Sequence, residues 1–215
     1  MQAPSQRTQV KRGRKRADYD PLLVKQIIDQ SLLCHVAQIH EGYPVVTPTC
    51  HWRDGDMLYW HGHARARNVY ASQGQSVCVN ISQLDGLVLA RSAFHHSVNY
   101  RSVTLFGVPQ LIEDEVEKRR QLELFVERLS PGRWQQLRPI NEQEMMLTAV
   151  VAIPINEASV KVRSAPPSDD DEDYGWPVWA GVMPIQRQWG VLQQDPLQTE
   201  NMAYPLPLSP ANGAI

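Results

Sequence analysis

Residues 32–61 read LLCHVAQIHEGYPVVTPTCHWRDGDMLYWH, and this stretch decides the fold. The run 32–39 is strand-like, rich in β-branched and apolar residues, and stops at His40-Glu41-Gly42, a turn by composition. A second run, 45–52, follows it and is broken by Asp54-Gly55-Asp56. An Asp-Gly pair between two strand-like runs signals a hairpin, because glycine tolerates the positive φ that tight hairpin turns demand. Residues 57–61 then return as a third strand, and the three together predict an antiparallel meander.

Working outward toward the N-terminus, Asp20-Pro21 opens a short helix, with Asp20 as N-cap and Pro21 at the first helical position. Leu23, Val24, Ile27 and Ile28 give it one buried stripe. Toward the C-terminus, residues 75–83 and 86–89 read as strands, and 98–112 as a long strand with Gly107 and Pro109 marking a bulge or an edge. Asp114 caps a helix and Glu117, three residues on, completes a capping-box pattern. Val116, Leu122, Phe125, Val126 and Leu129 share one face of that helix, and Ser130-Pro131-Gly132 ends it. Residues 142–146 form a short helix, and 148–155 and 159–162 close the sheet. Six or seven mostly antiparallel strands with few helices predict a mainly β chain, a closed or nearly closed β-barrel with peripheral helices.

With 215 residues, one well-buried core is expected, and the net charge of -2 hides an uneven distribution. Residues 1–17 carry Arg7, Lys11, Arg12, Arg14, Lys15 and Arg16 without an acid, a basic arm expected to be disordered and solvated. Residues 18–163 form the barrel. Residues 164–215 combine a mobile acidic loop (APPSDDDED, 165–173) with a tail bearing Tyr174, Trp176, Trp179 and Trp189. So much aromatic surface must dock on the barrel or on a dimer partner. Nucleic acid is not an expected partner, because no basic stripe extends beyond the arm. Cys34, Cys50 and Cys78 have no ligand or pairing spacing and read as small buried hydrophobes in a reducing cytoplasm. No apolar run is long enough for a membrane helix and no apolar stretch follows the basic start, so a cytoplasmic protein without a membrane role is expected.

Two segments carry candidate chemistry. In 61–68 (HGHARARN), a strand gives way to a helix start, where Gly62 permits a sharp turn. Unpaired backbone N–H groups there, with Arg65, Arg67 and Asn68, suit a phosphate; the alternative is that the arginines are solvated surface charges. His61 and His63 share a strand face, with His51, His95 and His96 as the nearest further ligands, but no acid or cysteine completes a metal site, and none is expected. No nucleophile-elbow sequence points to a hydrolase. In 85–107 (DGLVLARSAFHHSVNYRSVTLFG), a dense polar block sits between apolar strand runs. Alternation puts Asn99 and Arg101 on one face and Tyr100 and Ser102 on the other. Such a block is either a ligand-binding wall or an exposed hairpin with a polar face.

His61-Gly62 with its Arg-bearing turn, the 84–107 block and WPVWAGVMP at 176–184 together resemble the pyridoxamine 5′-phosphate oxidase-like flavin-binding proteins, nearest to their nitroimidazole-resistance (Nim)-like branch. The resemblance runs from about residue 18 to 190. It implies a split barrel that forms a homodimer with FMN in the clefts between subunits. It places Arg65, Arg67 and Asn68 on the phosphate and Thr47, Pro48 and Thr49 beside the isoalloxazine ring. Asn99, Arg101 and Ser102 fall on the long strand that approaches the cofactor, and Trp179 over the cofactor or the dimer seam. His61 becomes the candidate catalytic proton donor. The substrate-binding tail of pyridoxamine phosphate oxidase proper is not found, so vitamin B6 oxidation is not expected. The function implied is an FMN-dependent oxidoreductase that passes electrons from NAD(P)H to a small acceptor such as a nitro-aromatic. The alternatives are a flavin carrier or sensor without turnover, and a haem-binding split barrel with His95 and His96 as ligands.

Overall fold

The meander forms where it was expected. Strand β2 (Leu33–His40) turns through Glu41 and Gly42, both at positive φ, into β3 (Tyr43–Asp54), and Gly55 at φ 58° turns β3 into β4 (Met57–His63). The computed structural model describes every residue except 67, 68, 70–73, 199, 201–203 and 205–215. Before the meander lie β1 (Ala17–Asp18) and helix α1 (Pro21–Asp29), whose N-cap Asp20 accepts from the Leu22 N–H at 2.9 Å. After it come β5 (Val77–Leu89), β6 (Ser97–Gly107) and β7 (Gln110–Leu111). Helix α2 (Glu115–Leu129), helix α3 (Glu142–Leu147), β8 (Thr148–Pro154), β9 (Ala158–Arg163) and β10 (Gly181–Pro184) follow.

The strands form one sheet in the order β1-β9-β6-β5-β2-β3-β4-β8-β7, with β10 added to the far end of β5, and the pairings among the described residues are antiparallel. Strands β8 and β9 are consecutive in the chain yet lie near opposite ends of that order, so the sheet must curl into a barrel. Closure is visible at Gly107, where an added Cβ would come within 3.0 Å of Ile153 on β8. The barrel interior is apolar: Val36, Leu58, Trp60, Val79, Ile81, Val103, Leu105, Ile153 and Val160 pack in one core with Ile27 and Ile28 of α1. A second, smaller core lies outside the wall, where α2 and α3 cover β3, β4 and β8 through Trp52, Tyr59, Leu122, Met145 and Val150.

The mainly β barrel with peripheral helices is therefore observed, with ten strands instead of six or seven. Two expected strands, 75–83 and 86–89, are one strand with a register shift between Leu84 and Gly86. The expected long strand 98–112 is split after Gly107.

Two expectations of disorder are corrected. The arm at residues 1–17 lies on the barrel: the Ser5 hydroxyl and Arg7 Nε donate to Glu157 Oε2 at 2.7 and 3.0 Å, Thr8 is buried, and the Val10 N–H donates to the Tyr19 hydroxyl at 2.9 Å. Its end joins the sheet as β1. The acidic loop is held too. Asp169 is buried and accepts from the Arg91 backbone N–H and from Arg91 Nη1, both at 2.9 Å, while Asp170 meets His95 Nε2 at 3.1 Å. In both segments polar side chains anchor a backbone whose composition suggests solvation. The tail joins the sheet through β10, while the rings of Tyr174, Trp176, Trp179 and Trp189 stay more than half exposed.

Candidate functional site

Direct cross-strand partners share a sheet face, which gives the barrel wall an inner and an outer surface. The outer surface runs from Pro48 on β3 through His35 on β2, Asn80 on β5 and Thr104 on β6 to Ser159 on β9. Ser82, Ser102 and Lys161 form the next row, and Leu84, Tyr100 and Arg163 the one after. This surface is polar along its middle and apolar at its flanks, where Leu33, Ile39, Val46, Leu84 and Val98 are exposed. Met183 of β10 adjoins Leu87, itself paired with Val98.

On this frame the expected site residues divide. Pro48 and Ser102 stand on the outer surface, the Ser102 hydroxyl pointing to the Lys161 carbonyl at 3.4 Å. Thr47 and Thr49 stand opposite Val36 and Cys34 on the inner side, half-buried. Asn99 and Arg101 also face inward, with the Asn99 carbonyl oxygen and all three Arg101 nitrogens engaged. Asn99 Oδ1 accepts from Arg163 Nη1 and from the Ala165 N–H at 3.1 Å, so it fastens the segment that leaves β9. Arg101 grips Asp85 with two parallel hydrogen bonds of 2.8 and 3.0 Å and reaches Gln30 with its third nitrogen. The Asp85 pairing holds this guanidinium's pKa above its already high ordinary value.

Arg65 sits in the turn after β4, exposed and without an ion pair among the described residues. The turn is shaped by the Ala64 N–H to the Leu147 carbonyl at 2.8 Å and by the Arg65 N–H to His63 Nδ1 at 3.1 Å. A free guanidinium on a tight turn suits a phosphate. Arg67 and Asn68 lie outside the described residues.

His61 is placed elsewhere. It projects into the second core, 4.5 Å from the Phe125 ring and 5.9 Å from the Trp52 ring, and its Nδ1 finds no partner among the described residues. Burial pushes its pKa below the ordinary value, so it is neutral at neutral pH. Within one chain, strands β5, β2 and β3 separate it from the Asn99 strand. His51 is fully buried, with Nε2 against the Ile28 carbonyl at 3.0 Å, and burial lowers its pKa to about 4.

A second group of histidines sits at the hinge between β5 and β6, where a single 3₁₀ turn spans Ala93–His95. His96 Nδ1 lies 2.8 Å from the Ser92 carbonyl. A carbonyl only accepts, so Nδ1 carries the hydrogen and Nε2 keeps its lone pair in the neutral ring. His96 is exposed, and beside it Phe94 is 89% exposed. Across this hinge the Arg91 guanidinium lies over the Tyr174 ring at 4.9 Å. Burial alone would push the Asp169 carboxyl up, but the Arg91 hydrogen bonds outweigh it and hold the group below the usual carboxylate range. Sequence reasoning missed this clasp; its only signal was an acidic run with an Arg/His cluster elsewhere to receive it.

Trp179 is 66% exposed and lies against its own strand, where a Cβ on Gly181 would come within 2.7 Å of the indole. Cys34 is buried, and desolvation, reinforced by nearby Cys50, pushes its thiol up to about 12. Cys50 and Cys78 are only half-buried. Among the described residues no group of three or more His, Cys, Asp or Glu side chains is placed to hold a metal ion, and no helix is long and apolar enough to cross a membrane.

A sequence profile for pyridoxamine 5′-phosphate oxidase matches residues 23–162, most of the barrel. The chain belongs to this family. Among solved structures, it is similar to the flavocytochrome Anf3 from Azotobacter vinelandii, at 47% identity and a TM-score of 0.92, over 95% of this chain and 96% of that one. It is also similar to the FAD and haem binding protein from Mycobacterium smegmatis, at 33% identity and a TM-score of 0.81, over 91% of this chain and 94% of that one. A putative 5-nitroimidazole antibiotic resistance protein from Bacteroides thetaiotaomicron matches at 24% identity and a TM-score of 0.56, over 68% and 86% of the two chains, which shows a shared fold. No curated protein sequence matches the chain.

Proposed function

We propose that this family member is a flavin-dependent oxidoreductase that also binds haem, working as a homodimer. The observation that carries the haem is His96, an exposed imidazole whose Nδ1 is committed to a backbone carbonyl and whose Nε2 is left to ligate. Haem-ligating histidines are oriented by such a hydrogen bond, and exposed Phe94 supplies apolar surface for a porphyrin. His95 is less suited, because its Nε2 is engaged by Asp170. The two relatives above 30% identity, one named a flavocytochrome and one an FAD and haem binding protein, support the same pairing.

For the flavin, Arg65 on its turn is the free cation that would take a phosphate, and the polar middle of the outer surface offers Ser82, Asn80 and Ser102 to a polar ring edge. The M. smegmatis relative favours FAD over the FMN expected from the resemblance. A bound flavin would supply two-electron chemistry with a donor such as NAD(P)H, and a bound haem one-electron chemistry. The protein's part is to hold both groups and exclude water between them. The dimer is supported by the apolar flank of the outer surface: Ile39 is 56% and Val46 60% exposed on adjacent strands, a patch that a second copy would cover. His61, neutral and half-buried, is not given the proton-donor role.

The test is direct. Purified protein is expected to carry flavin and a Soret band together, in near-equal amounts, in a particle of twice the chain mass. Flavin without haem would return the protein to the simpler flavin-binding reading, and a colourless protein that takes up neither cofactor would end the proposal.

A further inference from the structure

The ordered N-terminal arm changes the standing of its charges. Lys11, Arg12, Arg14, Lys15 and Arg16 are all exposed, and none makes an ion pair among the described residues. A disordered basic tail would spread its charge over a large volume. Here the chain is pinned on both sides, by the Ser5 and Arg7 bonds to Glu157 and by the pairing of Ala17 with Lys161, so the cations are held in one ridge. Gly13, at φ 69°, lets the ridge turn back on itself, and a Cβ there would lie 3.7 Å from Lys161 Nζ. Lys161 and Arg163 then carry the positive charge across β9, where they stand opposite Ser102 and Tyr100. A fixed cationic ridge thus borders the outer surface to which the preceding section assigns the flavin.

We infer that this ridge is the docking surface for a small acidic electron-carrier protein that delivers electrons to the bound flavin. The inference rests on the flavin reading of the outer surface. A chain of net charge -2 that concentrates unpaired cations at one edge attracts an acidic partner there in spite of its overall sign. Redox encounters are brief and small, so charge steering over about 8 Å of screening length suits them better than a large apolar interface. The cations themselves are interleaved with no exposed large apolar side chain; Met1 and Leu22 are exposed only at the ends of the arm, which is why lipid vesicles are one arm of the test. It also has no row of aromatic rings interleaved with its cations, as strand-stacking nucleic-acid surfaces do. In the delivery step two reduced carriers are each oxidised by one electron and one flavin takes up both, with the protons coming from water.

The experiment uses holoprotein, a reduced acidic [2Fe–2S] ferredoxin as probe, and a variant combining Lys11→Gln, Arg12→Gln, Arg14→Gln and Lys15→Gln. Stopped-flow reduction of the flavin is expected to be fast at low salt and to slow as salt rises. In the variant the second-order rate should fall about tenfold or more and lose most of its salt dependence. Photoreduction of the flavin, which needs no docking, should be the same in both. Equal ferredoxin rates in the two proteins would overturn the inference. So would an intact chain that ignores ferredoxin but is retained by phosphatidylserine vesicles or a DNA duplex. Capture of the chain on immobilised ferredoxin reads the ridge without any cofactor, so loss of the flavin reading and loss of the docking surface give separate results.

Discussion

The region under α2 and the hinge between β5 and β6 each hold a histidine, and they treat it in opposite ways. Under α2, His61 is half-buried against Phe125 and Trp52, with Nδ1 unpartnered among the described residues and its pKa driven down by desolvation. At the hinge, His96 is exposed and its tautomer is set by the Ser92 carbonyl. Burial without a partner makes an imidazole a packing element. Exposure with one nitrogen fixed leaves the other nitrogen able to ligate. The family resemblance singled out His61 as a proton donor and His95 and His96 as haem ligands; the environments of the three side chains separate them further.

The sharpest way to break the comparison is to exchange the two losses. His96→Ala is expected to abolish the Soret band and leave flavin content unchanged. His61→Phe should keep both cofactors and show its effect in stability. Absorbance spectra of the two purified variants decide it, and haem retained by His96→Ala would remove the assignment.

The packing character of the α2 region can be measured through Trp52. This ring is 1% exposed, stacks on Tyr59 at 5.8 Å and donates from Nε1 to Gln121 Oε1 at 2.7 Å. Trp52→Ala leaves a cavity and an unpaired buried amide, and should cost about 3–5 kcal/mol in denaturant unfolding. A loss under about 1 kcal/mol would mean that α2 is only loosely held.

His51 gives the same contrast a pH axis. Its ordinary value of 6.5 falls to about 4 in the fold, so between these values the unfolded chain binds a proton that the folded chain refuses. Stability from this group is complete above pH 6.5 and is lost as pH falls toward 4, by roughly 3 kcal/mol at the acid end. Unfolding curves across that window should show the slope, and His51→Gln should flatten it. A slope unchanged in the variant would place the acid sensitivity in other groups.

The barrel was legible because its signals are local. Asp20-Pro21, Asp54-Gly55-Asp56 and the N-cap Asp114 act within a few residues, and each stands where the sequence put it, although the Glu117 carboxylate accepts from Gln121 instead of closing the expected capping box. The arm and the acidic loop were misread because what orders them is far away: Arg7 meets Glu157 and Arg91 meets Asp169, pairs that no window on the chain brings together. The candidate site was legible to the same degree. Arg65 was singled out from its turn, and the structure leaves it exposed, whereas Asn99 and Arg101 looked available because their partners Arg163 and Asp85 are set by strand register, which composition does not reveal. His96 lay within the polar block, but its Ser92 bond depends on the 3₁₀ turn between them.

Arg65 is the smallest and most specific test of that legibility. An exposed cation contributes little to the fold, so Arg65→Ala should leave the melting temperature near the parent value. If the side chain meets a phosphate, its removal deletes one charge-assisted contact, and flavin affinity should weaken about tenfold in titrations of stripped protein. Arg65→Lys would keep the charge and lose the planar fork, so its affinity should fall between the two. An affinity unchanged in Arg65→Ala would move the anionic end of the cofactor away from this turn, and the half-buried and exposed histidines would then have to be compared without the phosphate as a landmark.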